Sequence, residues 1–282
     1  VNRSIWSYAK RIEGTEMAPY HENGFLGNDI KVWIANNRRE YDNLFKLAEK
    51  LNFDCYAMLE RARPHNKDKR ELLVSCLFPR VMELFQATYL LVSRGMIPAS
   101  NVMLRSLIET MFVLVAIAKD SEALDAYILN DERERLITAN KIINDTSSTF
   151  SEIPLEEVIR VKSEIEKNLD GKKLPKLTTE YFSKKAGLHD WYLTVYAVTS
   201  KSVHAAIKDM EQYLDIGSDE KVKSIKFTPT SNGTIGILST ACNALGMALE
   251  TFLATLNLDT DITKEHADSL RPFLELALTE KD

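Results

Sequence analysis

The chain has 282 residues, enough for one large domain or two smaller ones with a substantial core. Its 36 basic residues are outnumbered by 41 acidic ones, and a net charge of −5 excludes the overall electrostatic footprint of a general nucleic-acid binder. Apolar residues make up 45% and charged ones 27%, as in an ordinary globular protein, and Cys55, Cys76 and Cys242 show neither a disulfide framework nor a zinc-ligand spacing.

The first residues, VNRSIWSYAKRIEGTE, lack the apolar core of a signal peptide. Together with the unpaired thiols this gives the expectation of a cytoplasmic protein holding neither metal nor cofactor. Residues 30–62 carry Trp33, Leu44, Leu47, Leu51 and Met58 at three-to-four spacing, which predicts a long amphipathic helix or a broken pair. The charged stretch RARPHNKDKRE at 61–71 predicts a loop, and helix follows from 71 to 94, kinked at Pro79. Gly95 and Pro98 form a stop signal, after which Ser100 or Asn101 is expected to cap a helix running to Lys119. Ser121 opens the next.

Segment 144–188 is the most polar part of the chain and reads as an insertion with one exposed helix, LEEVIRVKSEIEKNL. A strongly apolar helix is expected from Leu188 to Leu214, and then VKSIKF alternates with the period of a strand. Residues 234–258 and 262–279 complete the chain as a core helix and an amphipathic one. The fold class expected is all-α: a multi-helix bundle with a short β-hairpin or extended flap near 220–232. Domain organisation is expected as an N-terminal helical segment, 1–65, and a main bundle, 66–282. The apolar runs 72–92 and 102–118 contain Arg80 and Glu83, and Arg105 and Glu109, so both are expected as buried helices and not as membrane spans.

The run NVMLRSLIETMFVLVAIA, 101–118, holds the main functional lead. Arg105 and Glu109 lie about 40° apart on a helical wheel and can pair at i,i+4. Phe112 and Ala116 continue their stripe, so the charges are expected at an interface between helices, where burial without partners costs several kcal/mol each. The expected partner is the helix LHDWYLTVYAVTSKSVHAAIKDMEQYL, on which Leu193, Ala197, Ser200, His204 and Ile207 share a stripe with Tyr196 beside it. An imidazole held by a glutamate, with an arginine and a hydroxyl nearby, suits general acid–base chemistry. Arg105, Glu109, His204 and Ser200 are therefore the candidate site. The competing reading is a buried polar network that only fixes packing register. His21, His65 and His266 stand in polar contexts without ligand spacing, and His189 reads as a capping or surface residue. The Gly-rich phosphate loops, GxSxG and HExxH are all absent.

The layout RSLIET at 105–110, TSKSVHAA at 199–206, a short polar break and a long apolar helix resembles a prokaryotic all-helical family of unknown function. The likeness covers roughly residues 70–256, and Arg105, Glu109, Ser200 and His204 are the matching positions. It implies a helical bundle and no particular reaction. The chain is more loosely similar to HEPN-type helical ribonucleases of toxin and phage-defence systems, which implies an RNA or nucleotide ligand. It departs from their motif, since Thr199-Ser200-Lys201-Ser202-Val203 before His204 contains no arginine. Three readings follow: a helical protein with a ligand or active site at the Arg–Glu–His cluster, a HEPN-like ribonuclease effector, and a non-enzymatic module that dimerises through its apolar helices. A homo-oligomer is expected, with no membrane partner.

Overall fold

The structure, a computed structural model, describes residues 23–169, 177–197, 199, 210–216, 221–225 and 227–279. It is all-α apart from one two-stranded hairpin. The chain divides into two compact units, Val1–Met111 with Leu193–Asp282, and Phe112–Tyr192.

In the first unit the amphipathic N-terminal run is a broken pair, α1 (Ile30–Glu40) and α2 (Asp42–Arg61). The break is Tyr41, whose φ of −111° and ψ of 32° leave the helical region. The charged loop ends at Asp68, whose carboxylate accepts from the N–H groups of Arg70 and Glu71 and starts α3 (Lys69–Ser93). Pro79 lies inside α3 on an exposed face, so the helix continues past it. Gly95 ends α3 with φ +70°: its N–H bonds Val92 and that of Met96 bonds Leu91, the two hydrogen bonds of a Schellman stop. The buried Asn37 side chain of α1 adds a second donor to the Val92 carbonyl at 3.0 Å and reaches that of Ser93 at 3.4 Å.

Helix α4 (Ile97–Lys119) begins three residues before the expected cap. Pro98 sits in its first turn, where its missing N–H costs nothing, and Ser100 lies within the helix, its hydroxyl donating to Ile97 O at 2.7 Å. The division between the units falls inside α4.

The second unit holds α5 (Ser121–Asn144), α6 (Leu155–Leu169) and α7 (Thr179–Ala186). Asp120 caps α5 through the N–H of Ala123. The polar segment is not bare loop: α6 packs on α5 and buries Ile165.

The expected single helix from Leu188 to Leu214 is broken up. It opens as α8 (His189–Trp191), widens into a π-helical turn at Tyr192–Tyr196, and ends in a 3-10 turn at Glu211–Tyr213 that leads into strand β1 (Leu214–Ile216). Strand β2 (Val222–Ile225) pairs antiparallel with β1, Leu214 facing Ile225 and Asp215 facing Ser224, with an irregularity before Ile216. The hairpin thus begins earlier than the 220–232 expected, because residues read as the end of an apolar helix supply its first strand.

Helices α9 (Thr234–Thr255) and α10 (Asp261–Thr279) complete the first unit. By length and composition α4 and α9 could each cross a membrane, but half of the apolar window of α4 and 61% of that of α9 are buried within the fold. α9 is the centre of the unit, packed by α3, α10 and α2, with Leu245, Ala248 and Phe252 fully buried. Phe252 stacks on Phe78 of α3 with centroids 4.3 Å apart. Burial of this kind is worth roughly 1.5–3 kcal/mol per large apolar side chain.

Gly95 also permits a close approach of two chain segments. A Cβ there would lie 2.7 Å from Pro229 Cβ and 2.8 Å from both Thr230 N and Trp33 Nε1, and Thr230 N–H donates to Gly95 O at 3.2 Å. We predict that Gly95→Ala lowers stability by about 2–4 kcal/mol, combining a strained φ with backbone overlap, as read by urea denaturation. An unchanged midpoint would refute the crossing of residues 229–230 over the end of α3.

Candidate functional site

The Arg105–Glu109 pair forms as its spacing requires, with Arg105 Nε donating to Glu109 Oε1 at 3.0 Å. The arginine side chain is 16% exposed and the glutamate 38%, so the pair is shielded at one end and wet at the other. Its partner from the distant segment is Tyr196, 7% exposed. The Tyr196 hydroxyl accepts from Arg105 Nη2 at 2.6 Å and donates to Glu109 Oε1 at 2.6 Å. The guanidinium carbon lies 4.7 Å from the centre of the same ring. A phenol that accepts from the cation and donates to the anion closes a three-membered network.

The stripe drawn through Leu193 and Ala197 assumes an ordinary α-helix, and the π turn overturns it. Inserting an i→i+5 turn rotates the following residues, so Tyr196 points inward while Leu193 is 59% exposed and Ala197 is exposed as well. Thr199, 4% exposed, folds its hydroxyl back onto the carbonyls of Tyr196 and Val195 at 3.0 and 3.2 Å and so supports the widened turn. Ser200 and His204, the other two candidate site residues, lie outside the described residues.

A cleft of about 1240 Å³ adjoins this network. It is walled by the start of α4, the Leu193–Val195 turn, Tyr213 and Leu214, residues 227–230 and the first turns of α9. Asn101, Leu104, Val195 and Thr199 line it, and Arg105 and Tyr196 of the network directly follow Leu104 and Val195 in sequence. Phe25 and Phe227 meet edge to face at its rim, centroids 5.5 Å apart. Among the described residues lining it, Glu211 is the one acidic residue and there is no lysine or arginine.

Elsewhere, Lys185 of α7 reaches Asp120 and Glu122 at the start of α5 at 3.1 and 2.6 Å. Hydrogen bonds from the Ala123 N–H and from Lys185 hold the Asp120 carboxyl below its usual range. This cluster pins α7 to α5 within the second unit. Cys55 and Cys242 are buried, and burial pushes the Cys242 thiol up to about 12, so neither acts as a thiolate near neutral pH. His65 pairs with Glu71 and its side chain is 80% exposed, while His189 stacks on Tyr192 at 5.7 Å. His266, read from sequence as polar in context, is only 5% exposed and bonds Asp54 of α2 through Nε2 at 2.8 Å. The signal available was its place on the stripe with Thr263 and Leu270, at spacings of three and four.

An all-helical chain with a polar network set behind an open cleft is the class these features define. The chain belongs to the family of unknown function DUF5677, which matches residues 71–222 and so takes in Arg105, Glu109 and Tyr196. No curated protein and no solved structure matches it.

Two outcomes are expected. Tyr196→Phe, which removes only the bridging hydroxyl, costs about 1–2 kcal/mol in urea denaturation, and Arg105→Ala about 2–3 kcal/mol, with the pair non-additive because they share one network. Full additivity would mean that the hydroxyl and guanidinium are not coupled. For His266, burial outweighs the Asp54 hydrogen bond and lowers the pKa from its ordinary 6.5. The unfolded chain then takes up the proton more readily, so this contribution is complete above about pH 6.5 and is lost as pH falls through and below it. Comparing the pH dependence of stability for wild type and His266→Gln should show a shallower acid limb in the variant.

Proposed function

We propose that this protein binds a small ligand in the cleft of its first unit, and that Arg105, Glu109 and Tyr196 position one wall of that cleft without contacting the ligand. The observation that carries this reading is the cleft itself: about 1240 Å³, assembled from five separate stretches of chain and backed by a closed polar network. Its lining, apolar with scattered hydroxyl and amide groups, favours an uncharged or weakly polar ligand. Arg105 is already engaged by a carboxylate, a hydroxyl and an aromatic face, which weighs against its serving as the phosphate-binding cation of a nuclease. The network thereby combines the two roles weighed from sequence, a register lock that also shapes a site. Free Cys55, Cys76 and Cys242 support a reducing, cytoplasmic setting.

The cleft offers a clean test. Gly236 of α9 lines it, and no atom lies within 4 Å of the position its Cβ would take. Gly236→Trp should therefore fold normally and fill the space. The expected result is that wild-type protein enhances Nile red fluorescence saturably, that Gly236→Trp weakens this by about tenfold or more, and that Tyr196→Phe weakens it less. Equal dye binding by wild type and a folded Gly236→Trp would overturn the assignment.

A further inference from the structure

Many cations on the helices of this protein are answered by a carboxylate three or four residues away, as in Lys46–Asp42, Lys50–Asp54, Arg80–Glu83 and Arg271–Asp268. One stretch of the first unit breaks that habit. Residues 61–70, RARPHNKDKR, hold five cations and one carboxylate, a net +4 in a chain of −5, which leaves −9 for all the rest. They form the end of α2, the loop that follows it and the start of α3. Arg61, Arg63, Lys67 and Lys69 are all exposed, and none has an ion pair among the described residues. The nearest carboxylates are otherwise engaged. Asp68 caps α3 through the N–H groups of Arg70 and Glu71, and Glu71, 8% exposed, holds His65. Glu60 remains exposed at the last turn of α2. Arg63 Nη1 donates to the carbonyls of Glu60 and Ala62 at 2.8 and 2.7 Å, which ties its guanidinium to the end of that helix. On α2 itself, Phe53 is 70% exposed and Tyr56 49%. The two rings lie about 60° apart around the axis, and Phe53 stands about 12 Å before Arg61 along it.

We infer that this surface binds a single-stranded nucleic acid, with phosphates on Arg61, Arg63, Lys67 and Lys69 and bases against Phe53 and Tyr56. A phosphodiester strand carries a charge and a flat base in every nucleotide, and exposed cations beside exposed rings answer both. The net −9 of the remaining chain disfavours a polyanion elsewhere, so contact is confined to this end of α2. An acidic peptide would satisfy the cations and leave the rings unused. A membrane surface calls for apolar side chains at the tip of the loop, and His65-Asn66-Lys67 supplies none. RNA and DNA share the groups recognised, and the experiment separates them. None of these residues lines the cleft, so the inference stands or falls independently of the reading proposed for it.

The experiment titrates the full chain into fluorescein-labelled dodecamers of uridine and of thymidine, read by fluorescence anisotropy. The expected dissociation constant is on the order of 10 μM at about 0.1 M salt for at least one strand, and the tighter of the two names the nucleic acid preferred. The logarithm of the affinity should fall against that of the salt concentration with a slope of about −3, the value for four phosphates on a single strand. Lys67→Gln combined with Lys69→Gln should bring the slope to about −1.4 and weaken binding about tenfold or more. Phe53→Ala should weaken binding about tenfold and leave the slope unchanged, because stacking releases no counterions. Lys46→Gln, which removes a lysine paired with Asp42 outside the loop, should change neither. The altered side chains are exposed, and the wild-type slope decides the matter if a variant fails to fold. A flat titration or a slope shallower than about −1 would overturn the proposal. So would undiminished binding by the folded double variant or by Phe53→Ala, or an equal loss in Lys46→Gln. A polyglutamate peptide, or vesicles of equal parts phosphatidylcholine and phosphatidylserine, binding as tightly as the strands would overturn it as well.

Discussion

A guanidinium placed on an apolar helix has to be answered where it stands, and in this protein a carboxylate and a phenolic hydroxyl share that task. Glu109 engages Nε of Arg105 at 3.0 Å. Tyr196 adds two contacts: its oxygen takes Nη2, and its ring lies beside the cation. Each charge-assisted hydrogen bond of this kind contributes about 1.5–3 kcal/mol when its donor or acceptor is ionised. The π turn follows from the same demand, because without the extra residue in the turn Tyr196 would not face α4.

That constraint propagates into the cleft. Leu104 and Val195 are neighbours in sequence of Arg105 and Tyr196, so the network that joins α4 to the Tyr192–Tyr196 turn also fixes the separation of two cleft walls. The opposite wall has its own anchor at Gly95, where residues 229–230 cross the end of α3 at a distance no side chain could share. The same glycine ends α3 and frees Pro98 to start α4 one short turn later. A single left-handed residue therefore sets the direction of two helices and the height of the loop above them.

Most of the helical architecture was legible in the sequence because helix periodicity and its punctuation are local signals. The stop at Gly95, the break after Arg61, the opening of α5 at Ser121 and the core character of α9 all rest on residues within one turn of the event. Arg105 and Glu109 were legible for the same reason, as charges out of place on an apolar stripe. What was not legible depends on phase. A wheel drawn at a fixed 100° per residue has no means of registering a π turn, so Leu193 and Ala197 were assigned inward and Tyr196 only beside them. The first strand of the hairpin was hidden similarly, since Leu214 and Ile216 look alike in a helix and in a strand, and only pairing with Ile225 and Val222 distinguishes them. His266 was missed because its partner, Asp54, is 212 residues away.

Two glycines of α9 border separate cavities of the first unit, Gly236 the cleft and Gly246 a smaller pocket lined by His266 and Leu270. A glycine inside a helix costs about 1 kcal/mol relative to alanine, and that cost is usually met by close packing that a methyl group would block. Neither Gly236 nor Gly246 meets it that way, because the space where a Cβ would stand is open at both. Gly236 opens onto the cleft and Gly246 onto the pocket beside His266. Ten residues separate them, about 15 Å along the axis and roughly 80° around it, which sets the two openings on different faces of one helix. In a helix otherwise filled to complete burial at Leu245, Ala248 and Phe252, the positions left hollow are those that border empty volume. Close packing therefore does not account for these glycines, and the space each leaves is continuous with the volume beside it.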